Sequence, residues 1–168
     1  MPRMTIFDRS LQLAKVDLAP NHRQPSILRV VLATAISLAG SLGVDAALVA
    51  IGVAVFPSTS GYVHFQFHDY AKLTVIGVIM ACVAWPIVTR ISSAPRWLFF
   101  RLAILVTIVL WLPDLYILAK GQPARAVAVL MCMHLAIALV TYNALVHVAP
   151  IRQGTQGGAA GNGARPNG

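Results

Sequence analysis

Four long apolar stretches, residues 27–56, 70–91, 98–119 and 124–149, take up most of this chain, and its polar residues collect in short connections and two tails. A hydrocarbon core of roughly 30 Å requires about 20 apolar residues in a helix, and each stretch reaches that length. The pattern predicts an all-α, polytopic membrane protein, an antiparallel bundle of four transmembrane helices. The breaks fall where helices must end. Pro57 and Gly61, then Pro95, then Gly121 and Pro123 occupy the three connections, where glycine permits reversals and proline interrupts helical bonding. The second and third connections are short, which makes helices 2–3 and 3–4 hairpins. The first stretch is far longer than the roughly 7–15 residues of a cleavable signal's apolar region, so it reads as a retained helix.

The tails read differently. In residues 1–26, Phe7, Leu11, Ala14 and Leu18 recur at helical spacing among Arg3, Arg9 and Lys15. That fits either a helix lying on an anionic leaflet or a disordered basic tail. Residues 150–168, rich in glycine and asparagine, read as disordered.

Composition narrows the class further. Hydrophobic residues make up 58% of the chain and charged residues 11%, against about 25% charged in soluble domains. The net charge of +8 therefore reflects basic loops beside a membrane rather than a nucleic-acid surface. Arg3, Arg9, Lys15, Arg23, Arg29, Arg90, Arg96, Arg101, Arg152 and Arg165 fall on one side of the predicted bundle, and only Lys72, Lys120 and Arg125 on the other. The positive-inside rule then places both termini in the cytoplasm of a multi-pass protein of the cell membrane.

Ionisable residues inside the spans are the candidate chemistry, because each costs about 2.5–3.5 kcal/mol on insertion scales. On a helical wheel Thr34, Ser41, Asp45 and Gly52 form one stripe of helix 1. Ala103, Thr107 and Asp114 align in helix 3, and His134, Ala138 and Thr141 in helix 4. Such polar, small-residue faces pack against other helices. Counting about 1.5 Å per residue, Asp45 and His134 sit about 15 Å below the outer helix ends and Asp114 about 8 Å. Asp45, Asp114 and His134, with Ser41, Thr107 and Thr141, are thus the candidate ligand or proton site. Structural hydrogen bonding between helices is the competing account. Lys72 shares its stripe with Ile76, Ile79 and Val83 and reads as lipid-facing, with Thr74, Gly77, Ala81 and Ala84 opposite as the packing face.

The outer connection alternates strictly: Tyr62, His64, Gln66 and His68 against Val63, Phe65, Phe67 and Asp69. Period two predicts an extended stretch, in which His64 and His68 stand about 13 Å apart, too far to share a metal. The aromatic residues suit a headgroup belt, and Asp69 is placed to cap helix 2. Cys82 and Cys132 lack metal or redox spacing and read as buried structural thiols. Pro86 and Pro113 lie inside helices 2 and 3, where each removes a backbone bond and predicts a kink. Gly40, Gly43 and Ala47 form a second small-residue surface on helix 1, suited to close packing or dimerisation. Asn143 and His147 share a face near the cytoplasmic end of helix 4.

At Trp111-Leu-Pro-Asp-Leu-Tyr116 and Met133-His-Leu-Ala-Ile-Ala138 the chain resembles an uncharacterised family of four-helix integral membrane proteins of actinobacteria. The resemblance implies a four-helix fold and a membrane location, and it carries no activity or residue role. An acid in helix 1 of a four-helix protein is also similar to small multidrug transporters, although this chain is longer and its surrounding motif differs.

Three functions fit the sequence. The first is an outward-facing polar pocket for a lipid-like or small amphipathic ligand. The second is proton-coupled transport by a homo-oligomer with Asp45 as the exchanging acid. The third is a non-catalytic subunit supporting another membrane protein of the envelope. The bilayer is a partner in all three. No nucleophile–base pair, metal spacing or cofactor motif supports an enzyme.

Overall fold

The computed structural model describes residues 22–153; the two tail readings above lie mostly outside that range. Four helices account for nearly all regular structure: α1 (Ile27–Val55), α2 (Phe67–Ile91), α3 (Pro95–Ala119) and α4 (Ala124–Val148). Each is long and apolar enough to cross a membrane, the make-up of a multi-pass membrane protein with an all-α fold. Two short strands, β1 (His22–Arg23) and β2 (Arg152–Gln153), pair antiparallel. They hold both ends of the described chain at one end of the bundle, called proximal here. The α1–α2 and α3–α4 connections lie at the distal end.

The helix ends follow from local chemistry. Phe56 precedes Pro57, and a residue before proline is pushed out of the helical region, so α1 stops at Val55. Pro95 occupies the first turn of α3, where its missing N–H would be unpaired in any case. Gly121, at φ 88°, takes the left-handed turn that reverses the chain into α4.

The distal connection is not extended. Pro57–Thr59 and Val63–Phe65 form 3₁₀ turns, and α2 begins at Phe67. Phe65 is buried against Tyr70, Ala126, Val129 and Met133, so packing rather than pleating sets the aromatic spacing. Gln66, not Asp69, occupies the N-cap position of α2. Asp69 lies in the first turn, its Oδ1 3.2 Å from His68 Nε2.

Packing runs chiefly between α1 and α4, then α3 and α4, then α1 and α2. α4 therefore separates α1 from α3. Glycines make the α1–α4 contact close: a Cβ added to Gly52 would lie 2.8 Å from a Val129 methyl, and one on Gly40 2.9 Å from Val140. Val129 is β-branched and stiff, so it cannot swing aside. Gly52→Val should cost about 1–3 kcal/mol by overpacking, read as reversible unfolding in mixed micelles. Gly43 is exposed and has open space where a Cβ would go, so Gly43→Ala should be neutral or gain up to about 1 kcal/mol.

Two apolar clusters fill the interior. The proximal one joins Ala33, Val78, Cys82, Trp85, Val88, Phe99, Leu145, Val146 and Ala149, with the Trp85 indole donating to the Ala149 carbonyl at 2.9 Å. The distal one is the Phe65 cluster already described. Ser37, Ser41 and Asp45 of α1, Thr74 of α2 and Thr141 of α4 are buried polar residues that fall between them. Ile76, Ile79 and Val83 face outward with Lys72, and so does Gly77. The inner face of α2 is instead Tyr70, Thr74, Val78, Cys82, Trp85, Val88 and Thr89. Cys132 is exposed, unlike Cys82, because it points away from the α1 and α3 contacts of α4.

Candidate functional site

The site starts on α1, where Ser37, Ser41 and Asp45 recur every fourth residue and are all 0% exposed. Side chains four apart stack on one helix face, and this face turns into the bundle. Thr74 of α2 donates its hydroxyl to Asp45 Oδ2 at 2.6 Å. Asp45 Oδ1 is buried and has no hydrogen-bond partner among the described residues, as is true of Ser41 Oγ and Thr141 Oγ1.

The second half of the site joins α3 to α4. His134 Nδ1 lies 2.9 Å from Asp114 Oδ2, the histidine side chain 22% exposed and the aspartate 7%. With the proton on Nδ1, the ring donates to the carboxylate, a charge-assisted bond. His134 also acts electrostatically on Asp45. Because α4 stands between α1 and α3, its histidine interacts with both carboxylates.

Of the six residues singled out from the sequence, Asp114 and His134 touch, and Asp45 is linked to them through the field of His134. Ser41 and Thr141 are buried in the same polar layer. Thr107 is buried too, but its hydroxyl donates to the Ala103 carbonyl one turn back at 2.8 Å, so it serves its own helix. The residue missing from the sequence reading is Thr74, the direct partner of Asp45. Its position on the inner face of α2 was visible, but nothing in its type distinguished it from a packing residue.

The distal connection adds two polar groups above this layer. Exposed His64 acts electrostatically on Asp114. The Tyr62 phenol is pushed above its usual value by burial and then by the Asp114 charge. His64 and Tyr62 of the distal connection thus lie within electrostatic range of Asp114. No group of three His, Cys, Asp or Glu residues among those described is arranged to hold a metal.

Two surface cavities lie elsewhere. One is lined by Val30, Thr34, Ile79, Cys82, Val83, Pro86, Ile87 and Arg90, the other by residues 23–26, Arg29 and Pro150. Comparison with protein families, with curated proteins and with solved structures finds no match for this chain.

Proposed function

We propose that this membrane protein exchanges protons through Asp45, Asp114 and His134. The observation that carries the reading is the placement of two buried carboxylates on either side of one histidine, bonded to Asp114 and within electrostatic reach of Asp45. Burying an isolated ion in an apolar interior is costly, so each change of protonation here shifts the free energy of the packing around it. A proton added to the Asp114–His134 pair either neutralises the carboxylate or charges the ring, and both alter the field at Asp45. Thr74 holds one oxygen of Asp45 in place, leaving the other to accept the proton. His64 and Tyr62 supply a polar approach from the distal side, which the basic asymmetry of the sequence makes the exterior.

The ligand-pocket reading requires open volume beside these side chains, and neither of the two cavities above borders them. The proton reading requires none.

Reconstitution into liposomes enclosing a pH-sensitive dye tests the proposal. An external acid pulse should acidify wild-type vesicles faster than protein-free ones, and Asp114→Asn should return the rate to the protein-free level. Equal rates for wild type and Asp114→Asn would refute it.

A further inference from the structure

The groove between α1 and α2 at the proximal half of the bundle has no part in the proton cluster. Its cavity is about 340 Å³, within the range of sites that hold small molecules. Ile79, Val83 and Ile87 lie along it and are all exposed on the outer surface of α2. From Ile79 to Arg90 the groove runs about 16 Å at 1.5 Å per residue, close to half of a hydrocarbon core of roughly 30 Å. It therefore has the length of one leaflet.

Its proximal end is cationic. Arg90 closes the groove, and the second cavity, about 270 Å³, is lined by Arg23 and Arg29. A side-chain contact brings their linings together. Gln24, which lines the second cavity, donates from Nε2 to the Thr89 carbonyl at 3.0 Å and accepts from the Thr89 hydroxyl at 2.6 Å, beside Arg90. The β1–β2 pairing fixes the same segment from its other side. No acidic residue lines either cavity, and the described acids, Asp45, Asp69 and Asp114, all belong to the distal half. An apolar slot one leaflet long, ending among three arginines with no opposing acid among the described residues, matches one ligand class: a lipid with an acyl chain and an anionic headgroup.

The geometry points to a specific site for an anionic phospholipid of the proximal leaflet, one acyl chain in the α1–α2 groove and its phosphate held by Arg29 and Arg90. The two arginines supply positive charge at the depth of the headgroup phosphate, about 1 kcal/mol of attraction each. The groove interrupts an otherwise ridged lipid-facing surface, so a chain seated there exchanges more slowly than the lipids around it.

Native mass spectrometry of the full chain, released from micelles doped with phosphatidylglycerol or with phosphatidylcholine of the same acyl chains, tests this. One phosphatidylglycerol should be retained in clear preference. Arg29→Gln and Arg90→Gln should each weaken retention about fivefold, and Val83→Trp, which fills the groove, should abolish it. Arg90→Lys, keeping the charge, should retain most binding and shows that the arginine variants act through charge rather than misfolding. Equal retention of the two lipids, or retention unaffected by the arginine variants, would overturn the site. A dimer disrupted by Val83→Trp and indifferent to lipid charge would assign the groove to a second copy of the chain, which equally overturns it.

Discussion

Trp85→Ala should destabilise the bundle by about 3 kcal/mol. Trp85 is 0% exposed, its ring 5.1 Å from that of Phe99 and its indole N–H on the Ala149 carbonyl. Truncation leaves a void, unpairs the carbonyl and separates α2 from the end of α4. Core tryptophans in soluble proteins cost about 3–5 kcal/mol when cut to alanine. Lipid tails are as apolar as the interior, so the transfer part of that penalty shrinks in a membrane, whereas the void and the lost bond remain. That places the expectation at the low end. Trp85→Phe, which keeps one six-membered ring but drops the bond and leaves a smaller void, should cost about 1–2 kcal/mol. Reversible unfolding in mixed micelles, followed by tryptophan-independent helicity, reads both.

Asp45→Leu should leave the bundle as stable as the wild type, or more stable by up to about 2 kcal/mol. An intramembrane carboxylate costs about 2.5–3.5 kcal/mol on insertion scales, and the lost interhelical bond from Thr74 returns about 0.6 kcal/mol at the average value for such bonds. The first figure wins. Asp45→Asn keeps an acceptor for Thr74 and should match wild-type stability closely. Both variants should nevertheless lose proton exchange. If Asp45 served only as glue, Asp45→Leu would instead weaken the fold and spare the exchange, so stability and flux measured on the same two variants separate the roles.

The four helices were legible because a bilayer demands long apolar runs, and residues 27–149 have little room for anything else. Their starts were less so. α2 begins at Phe67 and α3 at Pro95, each earlier than the apolar runs suggest, because His68, Asp69 and Pro95 are loop-like in type but are accommodated in a first turn. The alternation from Tyr62 to Asp69 misled because Phe65 is turned inward by a 3₁₀ turn and tertiary packing, which period alone does not encode. That Asp114 and His134 share a region followed from both lying in the outer half of the bundle, but their direct bond did not, because the helical rise set His134 about 15 Å and Asp114 about 8 Å below the outer ends. The bond from Thr74 to Asp45 did not follow either, since it depends on which helices are neighbours. Neighbour order arises from small-residue contacts such as Gly52 with Val129, not from hydropathy. Cys132 looked buried for the same reason: an apolar run does not say which of its faces meets lipid.

The most direct test of proton exchange by the Asp45–Asp114–His134 cluster is infrared difference spectroscopy of the protein in nanodiscs between acidic and alkaline buffer. A carboxylic-acid C=O band should appear in wild type, shift in heavy water, and be lost in part in Asp45→Asn and in part in Asp114→Asn. His134→Gln should alter what remains, because the ring interacts with both acids. No carboxylic-acid band in the wild type, or a band that survives unchanged in both asparagine variants, would contradict the account.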